Sequence, residues 1–310
     1  MSRLAVYTDT DDLDPADGIE LLKAAGFEVV RLETHNPTEI VKAARNAHAL
    51  LVGYAPITKE LIDQLESLDV VSMLSTGTDN VDTAALSERS VALVTLGALP
   101  AEEVATHTIA LTLSMLRGIA PFADAAKRRE WFKTPYPVVP PRLSHMKLGV
   151  LGFGRIGQLV AKYSAQIFGS VVYHDPFISP RSEFKSVGFD QLIAESDVLS
   201  INIPATPENK HLFSADLFAA MKPGSYLVNA SRGSIVNSVA LAAALKSGHL
   251  AGAALDVIDG EPADRHNPLL NNPKVLLTPH VAYLSEFTQK AYITVQAQNV
   301  IDFYDGKQDN

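Results

Sequence analysis

The sequence predicts an α/β protein with two mainly parallel sheets, and three observations carry that expectation. Short apolar runs of strand length recur along the chain and alternate with segments of helix length. A glycine-rich turn with the spacing Gly-x-Gly-x-x-Gly, at Gly152, Gly154 and Gly157, lies in mid-chain between one such run and a helix. A length of 310 residues exceeds one ordinary core and suits two domains.

Taken in order, Leu4 to Tyr7 reads as a strand, and Pro15 to Ala25 as a helix closed by Gly26. Glu28 to Leu32 is a second strand, and Asn36 caps a helix that opens at Pro37. Ala49 to Val52 is a third strand, Thr58 caps a helix to about Ser67, and Val70 to Leu74 and Val91 to Leu96 are two more strands. This alternation predicts a flavodoxin-like domain. Gly97 to Pro100 is a natural crossing point, after which a long helix runs from Ala101 to about Gly118 and continues amphipathically to Trp131. Four prolines between Thr134 and Pro141 exclude regular structure there.

The second alternation opens with the strand Leu148 to Leu151 and a helix from Arg155 to Phe168, ended by Gly169. Val171 to Tyr173 is the next strand, with Asp175 just beyond it, 18 residues after Gly157. A helix at Phe189 to Glu195, strand Val198 to Ile203, helix Ser214 to Met221, strand Ser225 to Asn229 and helix Ser238 to Ser247 follow. Strands Ala251 to Val257 and Val275 to Thr278 complete a Rossmann-like sheet. A last helix spans Glu286 to Tyr304, and nothing local says which domain it packs against.

The glycines have separate physical tasks in a dinucleotide site. Gly152 permits a tight turn, Gly154 lets a diphosphate approach the backbone, and Gly157 lets helix and strand pack closely. The amides at the helix start, from Arg155 and Ile156 onward, then face the diphosphate. Asp175 can accept hydrogen bonds from a ribose, while a 2′-phosphate would meet a like charge, so NAD is expected over NADP.

The formal charge of −9 argues against general binding to nucleic acid or an acidic membrane. With no cysteine the chain has no disulfide or thiolate zinc site, which fits a cytoplasmic location. Acids soon follow Met1, unlike a signal peptide, and no apolar stretch approaches the ~18 residues of a membrane span.

In parallel α/β sheets ligands sit at the carboxyl ends of strands, which singles out residues just past them. In the first domain these are Tyr54 and Ala55, then Thr76 and Gly77; in the second they include Ser231, Arg232, Asp256, Glu261 and His280. Arg232, between Ser231 and Gly233, can offer a planar fork to a carboxylate. His280 follows Pro279 after an apolar strand and suits proton exchange. If Glu261 meets it, the carboxylate favours the imidazolium that delivers a proton. The other histidines are expected in turns or on helix surfaces, with His107 packed in the long helix, and no pair has metal-ligand spacing.

Ordered motifs across nearly the whole chain resemble the D-isomer-specific 2-hydroxyacid dehydrogenases. They are Ser75 to Asp82 (Ser-Thr-Gly-Thr-Asp-Asn-Val-Asp), Val150 to Gly157, Met221-Lys222-Pro223-Gly224, Asn229-Ala230-Ser231-Arg232-Gly233, Leu255-Asp256-Val257 with Glu261-Pro262, and Thr278-Pro279-His280. The resemblance implies a substrate domain of residues 1–99 plus 285–310, an NAD-binding domain of residues 100–284, an active site in the cleft between them, and a homodimer through the NAD-binding domains. It places the catalytic Arg, Glu and His on Arg232, Glu261 and His280, and the acid near the nicotinamide amide on Asp256. Pro204, Thr206, Ala230, Ser231, His280 and Ala282 join the expected cofactor contacts, and Tyr54, Ala55, Thr76, Gly77 and Tyr283 the substrate contacts. The implied activity is hydride transfer between NAD(H) and a small 2-oxo or D-2-hydroxy acid, without a metal.

Two stretches depart from the family pattern: Pro100 and Thr106 stand where Asn and Glu are common, and Val281-Ala282-Tyr283 replaces small glycine-rich residues. Both put the substrate in question. An alternative is an NAD-sensing corepressor-like protein, against which the intact trio weighs. Another is a dehydrogenase of a different small anion, of which formate fits poorly, since formate enzymes of this family place a neutral amide at Glu261.

Overall fold

The computed structural model describes residues 2–10, 13–131, 139–178 and 183–306. The chain forms two compact units, Met1–Pro100 with Leu284–Asn310, and Ala101–Tyr283.

In the first unit β1 (Arg3–Tyr7), α1 (Ala16–Ala24), β2 (Phe27–Arg31), α2 (Pro37–Ala44), β3 (Ala49–Val52), α3 (Lys59–Ile62), β4 (Val70–Met73), α4 (Thr83–Glu88) and β5 (Ala92–Val94) alternate strictly. The strands pair in parallel in the order β2-β1-β3-β4-β5. Strands β3 and β4 are buried at every residue, which is why β3 reads as an unbroken apolar run and β4 as one interrupted only by Ser72. Asn36 accepts the Thr38 amide at 2.9 Å and so starts α2. The helix after Thr58 is shorter than its sequence suggests, ending at Ile62, and the Thr58 side chain makes no capping bond. Helix α4, unanticipated from the sequence, starts because Asp82 accepts the Ala85 amide at 2.9 Å.

The second unit opens with α5 (Ala101–Leu116) and α6 (Ile119–Lys127). The expected continuous helix breaks at Gly118, whose φ of +62° turns the axis by 60°. No single described helix is long and apolar enough to cross a membrane. Of the proline-rich stretch, 134–138 lies outside the described residues. Then come β6 (Lys147–Leu151), α7 (Arg155–Ser164), β7 (Ser170–His174), β8 (Lys185–Ser186), α8 (Phe189–Glu195), β9 (Val198–Ile201), α9 (Ala215–Ala220), β10 (Ser225–Asn229), α10 (Ser238–Ser247), β11 (Leu250–Leu255) and β12 (Val275–Leu277). Their parallel order is β12-β11-β10-β9-β6-β7-β8, with the reversal of direction beside β6. That is the doubly wound arrangement in which a ligand crosses the strand ends at the switch point. Two clusters line its faces, one around Leu199, Phe213, Leu227 and Leu255, the other around Val150, Tyr173, Val198 and Val228.

The last helix, α11 (Glu286–Asp305), packs on α1, β3 and β4 of the first unit. Ser285 and Thr288 cap it reciprocally. Buried Gln296 donates to the carbonyls of Val52 (3.2 Å) and Ser72 (3.0 Å), and Ser72 Oγ returns a bond to the Gln296 carbonyl at 2.9 Å. The final helix therefore closes the core of the sheet that the first residues of the chain begin.

Candidate active site

The glycine turn after β6 behaves as its spacing predicts. Gly152 has φ +86°, and a Cβ there would lie 2.5 Å from the Asn202 carbonyl oxygen. A Cβ on Gly157 would come within 2.1 Å of the Gly152 carbonyl oxygen, so close packing of α7 on the turn demands glycine there. Gly154 differs, since a Cβ would meet no protein atom within 4 Å. The space above it is a cradle that a side chain would fill, and it adjoins the start of α7, whose first amides no side chain caps. Arg155 is exposed and Ile156 half-buried beside it.

Asp175 reaches back over this turn. Its Oδ2 accepts the Phe153 amide at 2.7 Å and its Oδ1 the Phe177 amide at 2.9 Å, so the carboxylate is fixed with lone pairs to spare. Phe153 is buried and stacks on Tyr173 at 3.7 Å between centroids, which anchors the turn to β7. Open backbone at Gly154, uncapped helix amides and a fixed acid together fit a dinucleotide. Beyond β9, Pro204 and Thr206 form a short capped turn in which the Thr206 amide donates to Asn209 Oδ1 at 2.8 Å.

The chemically active side chains follow three adjacent strands, β10, β11 and β12. After β10, Ala230, Ser231 and Arg232 form a turn held by buried Asn229. Its Oδ1 accepts both the amide (3.0 Å) and hydroxyl (2.8 Å) of Ser231, and its Nδ2 donates to the Arg232 carbonyl at 2.9 Å. Gly233 then abuts the next turn, where a Cβ would lie 2.0 Å from the Ile258 carbonyl. This contact sets the Arg232 turn against the Glu261 turn. Glu261 accepts the Ile258 amide at 2.9 Å on one oxygen and meets His280 Nδ1 at 2.6 Å with the other. Both side chains are about one-third exposed, at 33% and 32%. With a carboxylate on Nδ1, that nitrogen carries a proton, and Nε2 is the ring nitrogen at which the imidazole can gain or lose one.

Asp256 is 1% exposed and organises the backbone of His280. Its carboxylate accepts Thr278 Oγ1 (2.6 Å) and the amides of Val281 (3.0 Å) and Ala282 (2.8 Å), while its carbonyl accepts the His280 amide (2.8 Å). Burial pushes its carboxyl up, but donors from His107, Thr278, Val281 and Ala282 outweigh burial and hold it below the usual aspartate range. The Ala282 amide, expected at the cofactor, is thus engaged within the chain. Tyr283 is half-buried at the end of the second unit.

In the first unit the structure corrects one expectation. The amides of Tyr54 and Ala55 do not stand open for a substrate carboxylate, because Asp9 occupies them. Gly53, Tyr54 and Ala55 donate to its carboxylate at 3.2, 2.5 and 3.3 Å, and Gly53 leaves the room it needs. Thr76 and Gly77 lie past β4, with the Thr76 hydroxyl donating to the Gly97 carbonyl at 2.9 Å.

Sequence reasoning missed four further residues. Asp9, His211 and His107 each act through a partner distant in sequence, and Asn229 through the turn that follows it. His211 Nε2 lies 2.6 Å from Asp259 in the turn that bears Glu261, and His107 Nε2 lies 3.1 Å from Thr278 Oγ1, so neither is a bystander in a turn or helix. Of these only Asn229 carried a local signal, as the polar end of an otherwise apolar strand. Thr106 turns its hydroxyl onto the Glu102 and Glu103 carbonyls of its own helix.

Residues 109–282 match the model of the NAD binding domain of D-isomer specific 2-hydroxyacid dehydrogenases. The chain belongs to this family. This dehydrogenase is 30% identical over 321 residues to a glycerate dehydrogenase of Methylorubrum extorquens, covering 100% of the chain and 99% of the relative. It is 32% identical over 286 residues to glyoxylate/hydroxypyruvate reductase B of Citrobacter koseri, covering 90% and 88%. Its fold matches that of an NADPH-dependent glyoxylate/hydroxypyruvate reductase from Sinorhizobium meliloti with a TM-score of 0.89 at 27% identity, over 98% and 94% of the chains. The dehydrogenase is an NAD(P)-dependent oxidoreductase of hydroxy acids.

Proposed function

We propose that the enzyme reduces a small 2-oxo acid to the D-2-hydroxy acid with NADH and catalyses the reverse oxidation with NAD. The observation that carries this reading is the His280 to Glu261 pair at 2.6 Å, set at a strand end beside the Arg232 turn. Arg232 binds the carboxylate and carbonyl of the substrate with its planar fork, supplying orientation and charge stabilisation. His280 gives the proton on Nε2 to the carbonyl oxygen, and Glu261 stabilises the imidazolium before transfer and keeps Nδ1 protonated after it. In the oxidation neutral His280 takes the proton back. A nicotinamide held there would supply or accept the hydride. Gly152, Gly154, Arg155, Ile156 and Gly157 hold the diphosphate, Asp175 the ribose, and Asp256 Oδ2 offers an acceptor to the nicotinamide amide. NAD is assigned over NADP because the fixed carboxylate of Asp175 repels a 2′-phosphate.

Glyoxylate, pyruvate, hydroxypyruvate and longer 2-oxo acids, ranked by kcat/KM with NADH and with NADPH, test the proposal. Turnover with at least one of them and a preference for NADH are expected. No change in NADH absorbance with any of them would leave the NAD-sensing alternative as the better account. The expected homodimer is checked by light scattering.

A further inference from the structure

We propose that His107, on α5, is a positioning residue that sets the catalytic turn by clamping Thr278 and Asp256 and, through them, the backbone of His280. The inference rests on the assignment of His280 as the acid and base.

His280 has φ +54°, a left-handed conformation that a residue with a side chain keeps only when its surroundings impose it. What imposes it is one aspartate. Three successive amides, of His280, Val281 and Ala282, donate to the carbonyl, Oδ1 and Oδ2 of Asp256 at 2.8, 3.0 and 2.8 Å. The carboxylate holds the two residues that follow His280, while the backbone carbonyls of Asp256 and Thr278 accept the His280 amide itself at 2.8 and 3.1 Å, so the carboxylate sets the path of the turn on which the imidazole stands. Thr278 Oγ1 donates to Asp256 Oδ1 at 2.6 Å, which uses its single proton. His107 Nε2, 3.1 Å from the same hydroxyl oxygen, must then be a donor, which fixes the proton on Nε2. The same nitrogen lies 3.5 Å from Asp256 Oδ1 and brings a basic group within ion-pair range of a carboxylate that is 1% exposed. His107 thus donates to Thr278 and Thr278 to the Asp256 carboxylate, which in turn accepts the amides of Val281 and Ala282 that directly follow His280, a network running from the first helix of the second unit to the turn of the reacting histidine. Nothing in it requires His107 to touch substrate or cofactor.

The test uses the full-length protein and two substitutions. His107→Leu removes the donor at similar volume, and His107→Gln places an amide nitrogen where Nε2 stood. Two readouts are taken: kcat, KM and NADH affinity with hydroxypyruvate, and the downfield proton signal of His280 Nδ1–H in the cofactor-free protein, assigned by its loss in His280→Asn. His107→Leu is expected to lower kcat about 10- to 100-fold with NADH affinity held within about threefold, and to broaden or abolish the downfield signal. His107→Gln is expected to restore both to near wild type. Wild-type kcat and an unaltered signal in His107→Leu would overturn the proposal, as would a glutamine variant as impaired as the leucine one. Should His107→Leu fail to fold, Thr278→Val breaks the same chain without altering α5, and retention of the downfield signal there would equally overturn it. A wild-type protein inactive on every 2-oxo acid, yet losing the signal in His107→Leu, would remove the catalytic assignment alone.

Discussion

The backbone of Arg232 is held by Asn229, which donates to its carbonyl, and by Gly233, which seats its turn on Ile258, while its guanidinium donates to the Ser231 carbonyl at 2.8 Å. Removing the guanidinium leaves the first two contacts in place and takes away the fork offered to the substrate. Arg232→Ala is therefore expected to lower kcat/KM about a hundredfold or more, with NADH affinity near wild type. Loss of NADH affinity alone, measured by fluorescence titration, would contradict the role. Asp175 makes the complementary case, because its carboxylate is fixed by two backbone amides. Asp175→Ala should relax the preference toward NADPH, and unchanged discrimination in the ratio of kcat/KM values would sink the electrostatic argument. Arg232, Glu261 and His280 were legible in the sequence because each follows a strand of a parallel sheet. Asp9 and His107 were not, since their partners lie 46 and 171 positions away at most and only the fold brings them together.

At the scale of elements, the strand, turn and helix from β6 to α7 separates two kinds of glycine. Gly157 is demanded by packing, with the Gly152 carbonyl in the way of any Cβ, whereas Gly154 has nothing within 4 Å. Gly157→Ala should destabilise the fold by about 1–3 kcal/mol. Gly154→Ala should unfold like wild type but bind NADH about tenfold more weakly, since the methyl enters the diphosphate cradle. Calorimetry with and without NADH checks both, and equal loss of stability in the two variants would show that the cradle is merely packing. Helix and strand positions were legible where a strong periodic or apolar signal was present, as in β10 and α10. The 60° turn at Gly118 was not, because helix lies on either side of it and the left-handed backbone of that glycine sets the angle. Helix α4 escaped because a six-residue segment offers no periodicity beyond its Asp82 cap.

For the molecule as a whole, the order of elements along the chain is what distinguishes this protein. A complete parallel sheet precedes the dinucleotide unit, and the last helix returns to that first sheet. The sequence showed the two alternations but left the destination of the last helix undecided, since its face is polar and apolar by turns. Buried Gln296, which bonds the carbonyls of Val52 and Ser72, supplies the missing specificity. Gln296→Ala should cost the unfolding transition of the first unit about 1–3 kcal/mol in urea. An unaltered midpoint would mean that α11 is held by apolar contact alone. In the proposed reaction a 2-oxo acid is reduced with a proton from His280 held on Glu261. The most direct test compares wild type with His280→Asn in NADH-dependent reduction of the best 2-oxo acid of the panel. The variant should bind NADH normally and lose about 10²- to 10⁴-fold in kcat/KM, whereas wild-type kcat/KM in His280→Asn would contradict the claim.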